Sequence, residues 1–125
     1  MNRLYLAGPM TGLPDFNYPA FNSEAARLRA LGWTIENPAQ NAAPAGSAWA
    51  DYMRLALRQL LLCDGVALLP GWESSRGATL EVRIAGALLI PVMNARALRI
   101  GPAITTERIV GVTARPERAA MRRTA

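Results

Sequence analysis

The chain has 125 residues, 51% of them apolar, which fits one globular domain with a core of its own. It contains no histidine and one cysteine, Cys63, so histidine-based acid–base chemistry and an internal disulfide are excluded and a structural zinc site is disfavoured. The formal net charge is +5, but residues 1–95 carry seven arginines and seven acidic residues, so the excess comes from residues 96–125, with seven arginines and two glutamates. We interpret this basic segment as a solvated tail; contact with nucleic acid or with an acidic partner surface is the alternative.

Neither a membrane span nor a secretory signal is predicted. No apolar run approaches the roughly 20 residues that a spanning helix needs. The opening residues, MNRLYLAGPM, contain too short an apolar stretch and no small-residue cleavage site for a signal peptide. Together with the single cysteine, which fits a reducing compartment, these features predict a cytoplasmic protein without a membrane partner.

The first half of the chain is predicted to form a strand, a helix and a second strand, over residues 3–7, 19–31 and 33–36. Residues 8–17 contain two glycines and two prolines, which favour a loop between the first strand and the helix. Either Asn17 or Asn22 is a candidate to cap the helix. The helical spacing predicts a buried stripe of Phe21, Ala25 and Leu28.

The second half is predicted to form a helix, a strand, a helix and a strand, over residues 47–62, 65–69, 78–89 and 91–93. Apolar residues recur at helical spacing through the first of these helices, at Trp49, Met53, Ala56 or Leu57, and Leu60. A fifth strand is predicted near residues 109–112. The alternation of strands and helices predicts an α/β domain over residues 1–101, with a doubly wound, three-layer parallel sheet of four to five strands, and leaves residues 102–125 as the basic tail.

Three loops follow the carboxyl ends of the predicted strands, where open parallel sheets bind their ligands. They cover residues 8–17, 37–46 and 70–77. The first and third are rich in glycine and turn residues, and each leads into a helix whose free N–H groups and positive dipole end suit an anion. Neither loop matches a P-loop or a GxGxxG fingerprint, so spacing alone is a weak indication of phosphate binding.

Two residues on predicted regular elements stand out as candidates for chemistry. Glu81 is predicted in the first turn of the third helix, where it is either an acid favoured by the helix dipole or a carboxylate at the mouth of the sheet, kept ionised as a nucleophile. Tyr5 points to the opposite face of the first strand from Leu4 and Leu6. It is either a core aromatic with a hydrogen-bonded hydroxyl or a site residue.

Further candidates lie beside the third strand. Asp64, which opens the strand, is more typical of a turn or cap than of an acid catalyst. Trp72 stands in a polar loop, where it either stacks on a base or covers the core. Ser75 and Gly77 precede the third helix, so helix capping and phosphate contact are both open interpretations of the serine.

Three segments together carry a resemblance: YLAGPMTG at 5–12, CDGVALLPGW at 63–72 and SRGATLEVRIAGAL at 75–88. They resemble the nucleoside 2-deoxyribosyltransferase-like superfamily over roughly residues 3–93, and in particular small bacterial and viral members near the nucleoside 5′-monophosphate N-glycosidases. The resemblance implies a flavodoxin-like parallel sheet and a site that is often completed across a homodimer interface.

The resemblance also implies roles for the candidate residues. Glu81 matches the nucleophile of the superfamily, and Tyr5 matches the tyrosine that orients that carboxylate. The residues that match the loop lining the sugar and base pocket are Gly8, Met10 and Gly12. Ser75 matches a phosphate-binding serine of the monophosphate hydrolases, and with Gly77 it favours a 5′-phosphorylated substrate.

Two positions depart from the superfamily pattern. Ala56 stands where members usually carry an aspartate, which removes a carboxylate that handles a proton or binds the sugar. Thr11 stands where the monophosphate hydrolases carry an arginine. Phosphate binding would therefore depend on backbone N–H groups, Ser75 and Arg76.

The implied activity is cleavage of an N-glycosidic bond, by hydrolysis or by transfer to a second base, without a metal or an organic cofactor. Asp64 and Trp72 complete the predicted substrate-binding residues, and Asp64 or water is the candidate proton donor to the departing base. One alternative is a nucleotide-binding protein without turnover, which Ala56 favours. Another is a nucleic-acid accessory protein that uses the basic tail.

Overall fold

The structure, a computed structural model, describes residues 2–46 and 48–102. Strands and helices alternate along the chain in the order β1 (Arg3–Ala7), α1 (Tyr18–Ala30), β2 (Thr34–Glu36), α2 (Trp49–Leu61), β3 (Gly65–Leu68), α3 (Arg76–Ala87) and β4 (Val92–Asn94). Each element predicted within residues 3–93 is present, and β1 has the predicted bounds. The fifth strand predicted near residues 109–112 and the tail from residue 103 onwards lie outside the described residues.

The four strands form one parallel sheet in the order β2-β1-β3-β4. This arrangement confirms the predicted α/β fold, a flavodoxin-like sheet between two helical layers. The chain moves outwards from β1 to β2 and then returns to place β3 on the other side of β1. The strand order therefore reverses between β1 and β3, and their carboxyl ends flank the crevice where such sheets bind ligands.

One face of the sheet packs against α1 mainly through apolar side chains, with one hydrogen bond from Arg29 to the carbonyl oxygen of Ile35. Leu4 and Leu6 of β1 point to this face and form a cluster with the three residues of the predicted α1 stripe, all of them buried: Phe21, Ala25 and Leu28. Trp33 and Ile35 extend the cluster towards β2. This stripe prediction is confirmed, and the cluster is a conventional hydrophobic core.

The opposite face packs against α2 and α3 and carries polar groups as well. Tyr5 and Ala7 of β1 point to this face, since side chains alternate along a strand. The buried residues of the α2 stripe are Met53, Ala56 and Leu60, as the spacing predicted, while Leu57 is half-buried. Ala78 and Ala85 of α3 complete the cluster around Tyr5.

The chain after β4 is fastened to α1 by side chains. Arg27 donates to both carboxylate oxygens of Glu24, at 2.8 Å and 2.7 Å. The same guanidinium donates to the carbonyl oxygens of Ala95 and Leu98, each at 2.8 Å. Trp33 Nε1 adds a 2.9 Å hydrogen bond to the carbonyl oxygen of Ile100. The backbone of residues 95–100 is therefore held at three carbonyl groups.

None of the helices in the described ranges has the length and apolar character to cross a membrane.

Candidate functional site

A cleft of about 650 Å³ opens at the carboxyl ends of β1 and β3. It lies between the loop after β1, the loop after β3 and the start of α2, and we call it the first cleft. Its lining includes Met10, Thr11, Asn17, Ser75, Arg76 and Gly77. Of the residues predicted to bind substrate, the structure thus brings Met10, Ser75 and Gly77 together at the crevice that the strand order defines.

The first cleft meets the N-terminus of α3. Ser75 is the N-cap residue, and its Oγ accepts a 3.1 Å hydrogen bond from the N–H of Ala78. The N–H groups of Arg76 and Gly77 belong to the first turn and have no partner within the helix, so they remain available to an anion. Both interpretations of Ser75 fit this geometry, because a hydroxyl that accepts the capping bond can still donate its own proton.

Gly77 lies close to α2. A Cβ atom at this position would lie 3.1 Å from Met53 Sδ. The flexible Met53 side chain would have to shift slightly to make room for a larger residue. The first turn of α3 therefore packs closely against α2 at Gly77.

Arg76 and Trp49 form one wall of the first cleft. The Arg76 guanidinium carbon lies 3.6 Å from the centroid of the Trp49 ring, a stacked cation–π contact. The sequence placed Trp49 on the apolar stripe of α2 and missed its place at the cleft. The available signal was position, since Trp49 and Arg76 are the first residues of helices that start at the carboxyl end of the sheet.

The course of the loop after β1 depends on its glycines and on residues in the left-handed backbone conformation. A Cβ atom on Gly8 would lie 2.8 Å from Leu69 Cβ, and Gly12 has φ +84°. Neither glycine lines the first cleft; together they set the path that brings Met10 to it. Asp15, Phe16 and Asn17 also have positive φ angles.

The predicted helix caps of α1 are not formed. Asn17 occupies the N-cap position, but its Nδ2 donates to the carbonyl oxygen of Pro9 at 2.9 Å and holds the loop instead. Asn22 lies inside α1 and accepts a 2.9 Å hydrogen bond from Asn37.

Tyr5 and Glu81 form a buried hydrogen-bonded pair beneath the first cleft. The Tyr5 hydroxyl donates to Glu81 Oε2 at 2.6 Å, and the two residues are 1% and 5% exposed. Burial raises the pKa of Glu81 to about 7, although the hydrogen bond from Tyr5 acts in the opposite direction. Burial, and then the Glu81 charge, raises the pKa of Tyr5 well above its ordinary value. Near neutral pH the carboxyl group therefore exists in both protonation states, while the phenol keeps its proton.

The position of Glu81 corrects two expectations. The helix begins at Arg76, two residues earlier than predicted, so Glu81 lies in the second turn rather than the first. The effect of the helix dipole fades beyond the first turn, and desolvation dominates the pKa instead of keeping the carboxyl fully ionised at pH 7. Glu81 is also one helical turn beyond Gly77 on the same side of α3, which places it behind the cleft lining rather than in it.

Asp64 lies at the other end of the sheet and does not join the candidate site. It precedes β3 at the amino end, where its Oδ2 accepts hydrogen bonds from the backbone N–H groups of Asn2 and Arg3, at 3.2 Å and 3.1 Å. The four residues of β3 separate it from the first cleft. The structure therefore places Asp64 away from the first cleft, and its hydrogen bonds fit the turn and cap interpretation of this residue.

Trp72 fits both interpretations given to it. The ring is half-buried against the cluster around Tyr5, and it also lines a second opening on the far side of the loop after β3. Ala56 is 8% exposed and belongs to the same cluster, so the missing aspartate leaves an apolar contact in its place.

The described residues contain neither a metal-binding cluster nor a reactive thiol. No group of three or more histidine, cysteine, aspartate or glutamate side chains within residues 2–46 and 48–102 could hold a metal ion. Cys63 is buried and donates to the carbonyl oxygen of Gln59 at 3.3 Å, and burial raises the pKa of its thiol to about 12. A thiol in that state is a poor nucleophile.

The family model described as "Domain of unknown function (DUF4406)" matches residues 2–94, and the chain belongs to that family. The match spans all four strands and the three helices. No curated protein matches the chain.

Proposed function

We propose that the protein cleaves the N-glycosidic bond of a nucleoside or a nucleoside 5′-monophosphate, with Glu81 as the carboxylate that meets C1′ of the sugar. The observation that carries this proposal is the buried Tyr5–Glu81 pair. Glu81 lies one helical turn after Gly77, which lines the first cleft at the point where the strand order of the sheet reverses. The likeness of the surrounding motifs to nucleoside 2-deoxyribosyltransferase-like proteins supports it. A homodimer is part of the same proposal.

The chemistry divides into two displacements at C1′. The base departs with the electrons of its bond to C1′, positive charge develops on the sugar, and the Glu81 carboxylate bonds to C1′. Water, or a second base, then bonds to C1′ and releases the carboxylate; water gives hydrolysis and a base gives transfer. The Tyr5 hydroxyl holds the carboxyl group in its buried position before the sugar binds. The departing base takes its proton from water, since Asp64 is at the far end of the sheet.

Burial imposes a condition on this mechanism. Only the ionised carboxylate is a nucleophile, and Glu81 has a pKa of about 7. Its side chain must also turn from behind Gly77 towards the first cleft. Base release should consequently rise with pH through about 7, in proportion to the ionised fraction of Glu81.

The N-terminus of α3 is the proposed site for a 5′-phosphate. Ser75, Arg76 and Gly77 line the first cleft, and they offer two free backbone N–H groups, a hydroxyl and a guanidinium to a phosphate. Arg76 is the charged residue of that lining within the described chain, so the first cleft is electropositive. Arg76 would supply the guanidinium group that the monophosphate hydrolases carry at the position of Thr11.

The second candidate function is nucleotide binding without turnover. Two observations favour it: the carboxyl group of Glu81 is nearly inaccessible, and Ala56 supplies no carboxylate beside it. Such a protein would bind the same ligands in the same cleft and release no base.

Base release from nucleosides and their 5′-monophosphates, followed by chromatography, tests the proposal. Glu81→Gln keeps the shape of the side chain and should reduce base release by at least about a hundredfold, because the amide is not a nucleophile. Asp15→Asn, at an exposed position outside the cleft linings, is the matched control and should release base normally. Near wild-type turnover in Glu81→Gln would contradict the assigned role. Tight binding by the wild-type protein without base release would favour the second function.

A further inference from the structure

A second cleft, of about 540 Å³, lies on the other side of the loop after β3. It opens between that loop and the chain that follows β4. Its lining includes Pro70, Gly71, Trp72, Asn94, Arg96 and Arg99. The family match ends at residue 94, so both arginines come from the chain beyond it.

The backbone that presents these arginines is held in place. Arg27 binds the carbonyl oxygens of Ala95 and Leu98, and those two side chains pack into the core on the α1 face. Arg96 and Arg99 alternate with them along the chain and are exposed at the second cleft. Arg96 and Arg99 thus line one cleft from a segment whose backbone is held, so a ligand has to order their side chains but not the chain that carries them.

The charge of the second cleft favours an anion. In the part of the chain that the structure describes, neither Arg96 nor Arg99 forms a salt bridge. Glu73 is the acidic residue of the lining, so the two guanidinium groups outnumber it. The Glu24 carboxylate, which is paired with Arg27, also attracts Arg96 from outside the lining. Guanidinium groups recognise phosphate through paired, charge-assisted hydrogen bonds, and the half-buried Trp72 ring adds a surface on which a base can stack.

The two clefts are neighbours across a single turn. Pro70 and Gly71 line both of them. Gly71 has φ +87°, and a Cβ atom there would lie 3.3 Å from Pro9 Cγ. Because the two clefts share this turn, one extended ligand can contact both the N-terminus of α3 and the arginines Arg96 and Arg99.

We propose that the natural ligand is a nucleotide with a second phosphate-bearing unit, as in a 5′-phosphorylated dinucleotide. Its first nucleotide occupies the first cleft, and its second phosphate crosses the Gly71 turn to Arg96 and Arg99. This inference rests on the proposed function, since it takes the first cleft to hold a nucleotide. It extends that function from mononucleotides to a longer substrate class.

Calorimetric titrations with a nucleoside 5′-monophosphate and a 5′-phosphorylated dinucleotide of the same base test the inference. The full chain with Glu81→Gln serves as the parent, so that no base is released during the titration. We expect the dinucleotide to bind at least about tenfold more tightly than the mononucleotide, which corresponds to about 1.4 kcal/mol. The added variant R96Q/R99Q should remove this advantage and leave mononucleotide affinity unchanged.

The matched control is R58Q/R83Q, which removes the same charge from exposed positions on α2 and α3 outside both clefts. It should preserve the preference for the dinucleotide, and melting temperatures should show that all variants fold. Equal affinity for both ligands in the parent would overturn the inference and leave the proposed function standing. The inference would also be overturned if R96Q/R99Q weakened the binding of both ligands equally, or if R58Q/R83Q reduced the preference for the dinucleotide as much as R96Q/R99Q does. Binding of neither ligand would contradict the inference and the proposed function together.

Discussion

The two faces of the sheet are built on different principles, although the same strands supply both. On the α1 face, Leu4 and Leu6 belong to a cluster of buried apolar side chains. On the α2 and α3 face, Tyr5 lies between those leucines in sequence and meets the Glu81 carboxyl group. A buried carboxyl costs free energy of folding, whereas apolar packing stabilises the fold. The difference indicates that stability is concentrated on one face and the candidate chemistry on the other.

The largest expected effect lies on the apolar face. Phe21 is 1% exposed, and Phe21→Ala should lower the free energy of unfolding by about 4 kcal/mol, because it removes a buried ring and leaves a cavity. Urea unfolding measures this loss, which should be the same at every pH. A loss below about 1 kcal/mol would show that the α1 face does not dominate stability.

The buried carboxyl group of Glu81 should make the stability of the polar face depend on pH. Folded Glu81 has a pKa of about 7, against 4.5 for the ordinary value, so the folded state holds the proton more tightly. This contribution to stability is fully present below pH 4.5 and is lost as the pH rises through about 7. As the pH rises from about 4.5 to about 8, the free energy of unfolding of wild type should therefore fall by about 3 kcal/mol relative to that of Glu81→Gln. Urea unfolding of both proteins across this pH range measures the difference. A difference between Glu81→Gln and wild type that does not vary with pH would contradict the burial argument.

An added carboxylate sharpens the comparison between the faces. Ala56→Asp places an acid beside the Tyr5 cluster and should cost about 2 kcal/mol, because Ala56 is buried. Ala25→Asp, the matched change on the apolar face, should cost more, since Ala25 is 1% exposed and Ala56 is 8% exposed. Melting temperatures rank the two variants. Faster base release by Ala56→Asp with an unchanged melting temperature would instead identify an eroded catalytic site.

The smallest effect separates helix capping from ligand binding. Ser75→Ala should lower stability by about 1 kcal/mol through loss of the N-cap, and should narrow the preference for a 5′-monophosphate over its nucleoside by a similar amount. Ser75→Asp restores the cap but brings negative charge to the first cleft. It should therefore recover the melting temperature while weakening monophosphate binding further. Recovery of both properties would mean that Ser75 acts only as a cap.

The sequence predicted the fold well because each element has a strong local signal. The run RLYLA, followed by Gly-Pro, fixed both ends of β1. The spacing of Phe21, Ala25 and Leu28 identified the buried side of α1. The alternation of helices and strands was sufficient for a parallel sheet, since parallel strands need crossover connections.

The candidate site was predicted less completely because it depends on distances between elements. The contact between Tyr5 and Glu81 matches what the resemblance implied, but spacing alone could not show how deeply the pair is buried. Asp64 was misplaced because a motif records order along the chain and not which end of the strand a residue occupies. Trp49 was missed because an aromatic at the start of an amphipathic helix looks like a core residue until the opposite wall is known.

The hydrogen bonds from Arg27 to the chain after β4 affect the order in which parts of the fold can open. Chain segments after a last strand commonly fray, and their amides then exchange hydrogen with solvent faster than those of the core. Here Arg27 ties the carbonyl groups of Ala95 and Leu98 to α1, so the closing segment cannot detach without breaking helix contacts. The segment and α1 should open as one cooperative unit, and the amide of Leu98, bonded to Ala95, should exchange at the slow rate of α1.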